Sequence, residues 1–434
     1  MATGDDAGAQ GGISPPEPDL TPQQMIDRAV ALRPLLREQS AETEQRTHPS
    51  EEIHQACLDA GFYRLYIPRR YGGYEFGAPT FLRVVQELSR GDISTGWCIA
   101  LAAAHALQVA SWWPEQAQDE IFGDGDFRCA AVAAPIGPAV RSDGGWELTG
   151  KVGYCSGIPI STHYMGQALI AGDDGKPTER MLLFVAPRSE FTILDDWGRL
   201  MGLKGSASNT ITFDRGRIPA HWTIEDALMV DFDLAAHGAP GAQLHGNSMY
   251  GGRAMACFTL TLTAIAIGGA YAALDEYEEM MHSRLTPLPP MVPRIGDETF
   301  QRWFGSALAK LSTAEAAMNN AADQHMEACR RAVEDGGRAG SYSYGEDMRI
   351  ACIGREVIIQ AWEIFQSEIF RTAGSSAAVD GSRFERIYRD LSMLNSHRNT
   401  TLREWAFGEI AREHLGLPRL GRGNVQTPHG TKSK

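Results

Sequence analysis

Histidine and serine side chains are the groups in this sequence best suited to proton transfer. His397 lies within the last predicted helical region, and an imidazole titrates near neutral pH. On residue type alone, a surface or helix-capping histidine is the favoured interpretation of that position. Ser156 stands in Tyr154-Cys155-Ser156-Gly157 at the predicted end of a strand. Its hydroxyl either contacts a ligand or satisfies nearby backbone groups, and residue type does not separate these alternatives.

Two further side chains lie in an apolar helical segment. His105 is flanked by Ala102, Ala103, Ala104 and Ala106, and a buried imidazole there needs a polar partner. A substrate-pocket histidine and a satisfied core histidine are both open interpretations. Trp97 is able to line a pocket for an aromatic substrate, although most tryptophans simply pack in the core.

Several kinds of site have no support. No G-x-G-x-x-G follows a predicted strand, so no NAD(P)H site is expected, and neither H-E-x-x-H nor a Walker A motif occurs. The seven cysteines form no C-x-x-C pair and mostly stand in apolar runs. We therefore expect reduced, buried thiols in a cytoplasmic protein and no metal site. These cysteines are Cys57, Cys98, Cys129, Cys155, Cys257, Cys329 and Cys352.

Charge and composition exclude other partners. The formal net charge is −14, so the surface repels phosphate backbones and nucleic acid is not an expected partner. Residues 1–20 and 421–434 resemble disordered tails, and the first of these lacks the basic start and apolar run of a signal peptide. The longest apolar run, 256–273, is broken by Thr and Gly. It is typical of a core helix rather than a membrane span, and no membrane association is expected.

The chain changes character twice, which predicts an N-terminal helical domain (21–127), a β-domain (128–222) and a C-terminal four-helix bundle (223–420). Short strands without intervening helices predict an antiparallel barrel or sandwich, not a Rossmann unit. The fold class is therefore α+β, mainly α. The predicted strands are 129–134, 146–150, 168–171, 181–186 and 209–213. The predicted bundle helices are 255–281, 300–332, 346–372 and 384–415.

This order of domains, together with several local motifs, resembles the acyl-CoA dehydrogenase superfamily from about Ala41 to Leu417. The motifs are Ala60-Gly61-Phe62-Tyr63-Arg64-Leu65, Gly202-Leu203-Lys204-Gly205-Ser206-Ala207-Ser208, Gly252-Arg253 with Gly268-Gly269, and Phe384-Glu385-Arg386-Ile387-Tyr388-Arg389-Asp390. Within the last motif, Arg389-Asp390 is interpreted as a structural ion pair.

The resemblance separates two chemistries. Dehydrogenases of this family need a carboxylate base to remove a proton next to a thioester carbonyl. The family places that base either shortly after the Arg389-Asp390 position or just before Arg253. Here no carboxylate follows Asp390 up to Thr400, and position 252 is glycine. Both expected bases are absent, so a dehydrogenase with a displaced base is only the alternative.

The other branch contains the oxygenase components of two-component flavin monooxygenases, such as p-hydroxyphenylacetate hydroxylase, secosteroid phenol monooxygenase and dibenzothiophene monooxygenase. The position of His397 and the motifs around Ser156 and Trp197 resemble this branch. It implies that reduced FMN or FAD, supplied by a separate flavin reductase, reacts with O2 through a C4a-hydroperoxide. The implied reaction is hydroxylation of a small aromatic or phenolic substrate. Oxygenation at nitrogen or sulfur is the alternative within the branch.

The resemblance also implies roles for individual residues. His397 and Ser156 are the expected catalytic residues, with Ser156 beside the flavin N5. Arg284 is expected to contact the flavin phosphate of a neighbouring subunit in a homotetramer. The segment after Ser156-Gly157 departs from the family pattern, which leaves the role of His163 open. The expected cofactor-binding residues are Ser156, Trp197, Lys204, Ser206, Arg284 and Gly374. The expected substrate-binding residues are His105, Trp97, His163 and Arg253.

Overall fold

A computed structural model describes residues 15–123, 125–336 and 341–419. In the described part of the chain six helices come first, and the first two start at side-chain caps. Thr21 forms a capping box with Gln24, and the Ser50 hydroxyl accepts from the amide of Ile53. The helices are α1 (Pro22–Arg46), α2 (Glu51–Asp59), α3 (Ala78–Gly91), α4 (Ile93–Ala104), α5 (Ala106–Trp112) and α6 (Glu115–Phe122).

The N-terminal tail is partly ordered. Residues 15–20 form a turn, and Glu17 pairs with Arg28 at 2.5 Å, so the prediction of disorder is wrong for this stretch. The rest of the predicted N-terminal tail, and the C-terminal tail 421–434, lie outside the described residues.

Two helical stretches are long and apolar enough to cross a membrane, but the fold buries both. The stretches are Ile93–Trp112, which contains α4 and α5, and Met255–Ser283, and 94% of the apolar window of each is buried. The prediction that 256–273 belongs to a core helix is therefore confirmed. The first stretch is not one helix, because α4 ends at Ala104 and α5 begins at Ala106, with His105 between them.

Among the described residues, seven strands form one mixed sheet in the order β5-β6-β2-β1-β3-β4-β7. The prediction of a purely antiparallel β-domain is wrong at one pair, because β3 lies parallel to β1 on the side away from β2. The sheet curls until Phe184 and Phe213 from separate strands meet at 5.9 Å. The strands are β1 (Cys129–Ser142), β2 (Gly145–Val152), β3 (His163–Ala171), β4 (Pro177–Pro187), β5 (Thr192–Ile193), β6 (Ile211–Pro219) and β7 (Thr223–Glu225).

The second helical part contains the bundle. Two short helices, α7 (Leu234–His237) and α8 (Pro240–His245), lead into it. Its helices are α9 (Met255–Ser283), α10 (Glu298–Glu334), α11 (Tyr344–Ile364), α12 (Arg371–Ala373), α13 (Arg383–Asn395), α14 (Arg398–Thr401) and α15 (Arg403–His414). A π-helical segment, Phe365–Phe370, joins α11 to α12.

The bundle differs from the sequence prediction at its end. The predicted helix 384–415 is three helices, because Ser396 and His397 leave the helical path and His397 caps α14. Arg389 and Asp390 also do not form the predicted ion pair. Arg389 binds Glu44 and Glu385, whereas Asp390 accepts from the amide of Leu203 at 2.6 Å. Helix α13 is thereby tied to both the N-terminal domain and the β-domain.

Candidate active site

The candidate site begins where strand β2 ends beside the start of β6. The two strands pair up to Val152 and Ile211, and the amide of Cys155 then donates to the carbonyl of Asn209 at 3.2 Å. This pairing brings Ser156 opposite Ser208, whose hydroxyl oxygens lie 2.7 Å apart. Two serines that are 52 positions apart in sequence therefore become direct neighbours.

These two serines belong to a longer hydrogen-bonded chain. The indole Nε1 of Trp97 donates to Ser156 Oγ at 2.9 Å, and Ser208 Oγ lies 2.8 Å from Ser206 Oγ. Ser206 Oγ donates in turn to the carbonyl of Leu203 at 2.6 Å. Trp97 and all three serines are buried. We call Trp97, Ser156, Ser208 and Ser206 the serine chain.

Backbone conformation holds the serine chain in place. A Cβ at Gly157, where φ is +73°, would lie 2.8 Å from the carbonyl oxygen of Cys98, so glycine lets this loop approach helix α4. Leu203 and Ala207 flank Ser206, and both adopt left-handed conformations with φ of 52°. Such residues carry strain, and the bond from the Leu203 amide to Asp390 supports the first of them.

His397 faces the same indole. Its ring centroid lies 5.3 Å from that of Trp97, with 69° between the ring planes. The amide of Asn399 donates to His397 Nδ1 at 3.2 Å. Burial, and then the positive charge of Arg398, lower the pKa of His397 to about 4. The imidazole is therefore neutral at pH 7 and carries its proton on Nε2. His397 caps α14 and also faces the serine chain, so the two interpretations of this residue are compatible.

His105 lies two turns beyond Trp97 along the N-terminal helices. Its Nδ1 donates to the carbonyl of Cys129 at 2.6 Å, and its ring centroid lies 5.8 Å from that of Phe258 on α9. Burial lowers the pKa of His105 to about 4, so Nε2 of the neutral ring is a hydrogen-bond acceptor. Next to Phe258, the hydroxyl of Thr259 bonds the Asn399 side chain at 3.0 Å. Helix α9 thus connects the surroundings of His105 with those of His397.

An aromatic pair flanks the serine chain. Tyr154 and Trp197 contact each other edge to face at 5.5 Å. Tyr154 is 66% exposed, and its φ of 62° is unusual for a tyrosine. The Trp197 Nε1 is buried and has no hydrogen-bond partner among the described residues. This pair, whose Tyr154 stands two residues before Ser156, therefore offers an apolar surface and an unused N–H donor.

The predicted phosphate-binding residues form a separate group. Arg284 follows α9, and its guanidinium donates to the hydroxyl of Ser376 at 3.1 Å and to the carbonyl of the same residue at 3.3 Å. Gly374 begins this Gly-Ser-Ser turn. Within the described parts of the chain, no hydrogen bond joins this group to the serine chain.

Three other predicted residues lie in different surroundings. Lys204 contacts Glu44 at 3.3 Å. Arg253 donates to two backbone carbonyls, those of Tyr342 at 2.9 Å and Phe232 at 3.2 Å. His163 lies between the rings of Phe127 and Trp222, with Nδ1 2.9 Å from the Thr162 hydroxyl. The structure does not bring these three residues into contact with the serine chain.

Sequence reasoning missed three neighbours of the predicted histidines. Asn399 orients His397 and bonds Thr259, and Phe258 packs against His105. Asn399 had a weak signal in the sequence, because a residue that caps a helix accepts a hydrogen bond from the backbone amide two residues later, and Asn399 stands two residues after His397. Thr259 and Phe258 had no such signal, since they stand in a helix that is apolar on nearly all sides.

Comparison with known proteins identifies the family. A model of the acyl-CoA dehydrogenase N-terminal domain matches residues 23–120, and a model of the C-terminal domain matches residues 260–401. The chain belongs to the acyl-CoA dehydrogenase superfamily. Along the chain, one of the two matched helical domains comes before the sheet and the other comes after it. This is the order of domains that the sequence predicts.

Individual relatives are oxygenases. The chain is 27% identical over 401 residues to the pigment production hydroxylase of Rhodococcus sp., covering 92% of this chain and 98% of the relative. It is 29% identical to the flavin-dependent monooxygenase oxygenase subunit HsaA of Rhodococcus jostii, covering 60% of this chain and 66% of the relative. These relatives support the two-component monooxygenase branch that the sequence predicts.

Solved structures show the same fold. The HsaA monooxygenase of Mycobacterium tuberculosis superposes with a TM-score of 0.79 at 22% identity, covering 92% of this chain and 99% of that one. XiaF from Streptomyces sp., in complex with FADH2 and glycerol, superposes with a TM-score of 0.80 at 21% identity, covering 92% and 97%.

Proposed function

We propose that this superfamily member is the oxygenase component of a two-component flavin-dependent monooxygenase. It hydroxylates a small aromatic or phenolic substrate with reduced FMN or FAD and O2. The observation that carries the proposal is the meeting of His397 with the buried side chains of Trp97 and Ser156. The similarity to a hydroxylase along nearly its whole length supports the same reaction class. Oxygenation of nitrogen or sulfur remains the second candidate within this class.

The residues around the serine chain fit a flavin ring. The unpartnered Nε1 of Trp197 is a donor for a ring carbonyl or nitrogen, and Tyr154 offers an exposed aromatic surface. When bound, reduced flavin supplies the two electrons that activate O2. Ser156 and Trp197 would hold the ring, and Arg284 with the turn at Gly374 would hold the phosphate of a neighbouring subunit's flavin. This arrangement requires a homotetramer or another assembly that joins the two groups.

His397 supplies a proton in the proposed site. Because Nδ1 accepts from the Asn399 amide, the Nε2 hydrogen is the one available to a reacting oxygen. Its lowered pKa keeps the ring neutral, so the site gains a hydrogen-bond donor without a buried charge. The apolar surroundings of Trp97 and Phe258 exclude water, which protects a reactive oxygen species from loss.

The acceptor on His105 suits a phenolic substrate. Its Nδ1 hydrogen is used by the carbonyl of Cys129, so Nε2 is free to accept from a substrate hydroxyl. The aromatic ring of Phe258 lies beside it. A ring that carries a hydroxyl group matches both features.

The dehydrogenase alternative lacks its base in this structure. A Cβ at Gly252 would lie 2.5 Å from Cys329 Sγ, so this position has no room for a carboxylate side chain without a shift of Cys329. Asp390, the carboxylate nearest His397 in the family motif, is buried under the Leu203 loop.

The proposed partners are a separate flavin reductase, acting transiently or through diffusing flavin, and a small-molecule substrate. The proposed location is the cytoplasm.

Rapid mixing tests the proposal. The protein with reduced FMN or FAD is mixed with O2, and the absorbance of oxidised flavin is followed alongside the hydroxylation of a panel of phenols. We expect oxidised flavin to appear later than in buffer alone. His397→Ala should lower product per flavin by about 10²-fold, because general acid catalysis typically contributes that much. Exposed His282 provides the matched control, His282→Ala, which should behave as the native protein.

Two results would contradict the proposal. One is flavin oxidation at the rate seen without protein. The other is reduction of protein-bound flavin by an acyl-CoA in the absence of O2, which would favour the dehydrogenase alternative.

A further inference from the structure

Arg355 on α11 is a fully buried cation. Its exposed fraction is 0%, and within the described parts of the chain no carboxylate forms an ion pair with it. Its Nε donates to the backbone carbonyl of Asn399 at 2.9 Å. The other two guanidinium nitrogens meet sulfur atoms, Cys352 Sγ at 3.9 Å and Met255 Sδ at 3.4 Å. Because sulfur is a weak acceptor, the carbonyl of Asn399 is the strong partner of this charge.

An arginine with these partners lowers the stability of the fold. A guanidinium stays charged inside proteins, and burying a charge is unfavourable unless an opposite charge compensates it. Burial accordingly lowers the pKa of Arg355, although Cys352 and Asp347 act in the opposite direction. The carboxylate of Asp347 accepts instead from the amides of Met255 and Ala256, where α9 begins. Packing alone therefore favours an uncharged side chain at position 355, and the arginine calls for a reason beyond packing.

Asn399 connects this arginine to His397. Its backbone amide donates to His397 Nδ1 at 3.2 Å, and its side-chain amide donates to Thr259 Oγ1 at 3.0 Å. Helix α14, which contains Asn399, has only four residues, and so short a helix depends on outside contacts to keep its place. Arg355 from α11 and Thr259 from α9 supply such contacts. They fix Asn399 from two sides, and through it the imidazole of His397.

We propose that Arg355 is a positioning residue for His397, acting through Asn399, with Thr259 as the second anchor. The inference rests on the proposed function, in which the Nε2 hydrogen of His397 serves a reacting oxygen. A hydrogen bond from a cation is roughly twice as strong as one between neutral groups, so a charged donor fixes the Asn399 carbonyl firmly. The orientation of the ring matters because a proton donor must lie within hydrogen-bond reach of its acceptor.

Arg355→Met separates positioning from packing. Methionine suits the sulfur-rich surroundings and removes both the charge and the bond to Asn399. The product formed per reduced flavin oxidised, with the same panel of phenols, should fall by about tenfold, since a misplacement of 1 Å costs up to about 10²-fold. The midpoint of urea unfolding should be no lower than in the native protein, because an unpaired buried charge is gone. A lower midpoint would assign Arg355 an ordinary structural role and overturn the inference.

A double substitution shows whether the effect passes through His397. In His397→Ala the imidazole is absent, so adding Arg355→Met should lower the product per flavin no further. A second loss of about tenfold would mean that Arg355 acts elsewhere, contrary to the inference. A loss in His397→Ala with none in Arg355→Met would overturn the inference and leave the proposed function standing. No loss in His397→Ala would overturn both.

Hydrogen exchange of the protein without flavin gives a readout that does not depend on activity. In Arg355→Met the backbone amides of segment 397–402 should exchange faster, whereas those of α13 should exchange as in the native protein. Thr259→Val keeps the shape of the side chain and removes the second anchor, so it should accelerate the same segment. This variant also tests the inference if Arg355→Met does not fold.

Arg349 provides the matched control. It lies on the same helix and is exposed, so Arg349→Met should change neither the exchange of segment 397–402 nor the product per flavin. Faster exchange in Arg349→Met would show that any change in α11 disturbs this segment, and the specific role of Arg355 would be wrong. Unchanged exchange in both Arg355→Met and Thr259→Val would likewise show that these residues do not position His397.

Discussion

Two polar clusters lie on the two sides of the segment 202–208, and they differ in how completely they are satisfied. On one side, Glu44 meets three cations, Lys204, Arg386 and Arg389. On the other side is the serine chain, which is made of neutral groups. The charged groups of the first cluster pair with one another, whereas in the serine chain one lone pair of the Ser156 oxygen is left to accept a hydrogen bond. A group with remaining hydrogen-bond capacity is the better indicator of a ligand site than a group with charge.

The charged cluster joins the N-terminal helical domain to the C-terminal bundle. Glu44 lies on α1, while Arg386 and Arg389 lie on α13. Burial by itself would raise the pKa of Glu44, but hydrogen bonds from Arg389 and Arg386 outweigh it and lower the pKa to about 2. Lys204 thus contributes to a structural ion network.

The sharpest test of this comparison is a substitution in the charged cluster. Glu44→Gln leaves partly buried arginines without their carboxylate, and we expect a loss of about 3 kcal/mol in the free energy of unfolding. The ratio of affinities for reduced and oxidised flavin should stay the same. Urea unfolding and flavin titration measure the two quantities. Exposed Glu42, which pairs with Arg46, is the matched control, and Glu42→Gln should cost less than about 1 kcal/mol. If Glu44→Gln changed the ratio of affinities for reduced and oxidised flavin, the charged cluster and the serine chain would not be independent of each other.

The same carboxylate predicts a dependence on acid. The folded pKa of Glu44 is about 2, below its ordinary value of 4.5. The contribution of Glu44 to the free energy of unfolding is therefore fully present above about pH 4.5 and is lost as the pH falls toward 2. Over that range the native protein should lose about 2 kcal/mol more than Glu44→Gln. If the free energies of unfolding of the two proteins changed with pH in parallel, Glu44 would not be the group responsible for the loss of stability in acid.

Asp390 predicts an effect of similar size and opposite sign. Burial, and then the nearby carboxylate of Asp92, raise its pKa from 3.8 to about 7. The folded state holds this proton more tightly than the unfolded state, so stability falls as the pH rises from about 4 through 7. In Asp390→Asn the amide oxygen still accepts from Leu203. The variant should therefore gain about 2 kcal/mol relative to the native protein between pH 5 and pH 8. No gain across this range in urea unfolding would contradict the raised pKa.

The smallest expected effect is at Lys204. Because its ammonium group pairs with Glu44, Lys204→Met should change the dissociation constant of reduced flavin by less than about twofold. Ser156→Ala, on the other side of the segment, should weaken reduced flavin by about tenfold. A large loss in Lys204→Met would show that this lysine also serves the cofactor, as the family resemblance implies.

Short-range patterns were enough to predict most of the architecture. Thr21 and Ser50 cap α1 and α2, and such caps are local features because they act on amides only two or three residues away. The absence of a carboxylate at Gly252 and after Asp390 is a property of the sequence itself. The break in the final helix at His397 and the parallel pairing of β1 with β3 were missed. The parallel pairing depends on a strand that is distant in sequence, whereas the cap at His397 is local but histidine is not among the residues that usually cap a helix.

The sequence by itself determined the superfamily, the order of the domains and the loss of the dehydrogenase base, since each of these is written in residue types and local spacing. Only the tertiary structure decided that Ser156 meets Ser208, that Lys204 meets Glu44 and that His397 meets Trp97. The physical reason is that a polar group's chemistry depends on which of its hydrogen-bond positions remain free. Its partners occupy those positions, and here they come from elements that are 50 to 300 residues away in the chain.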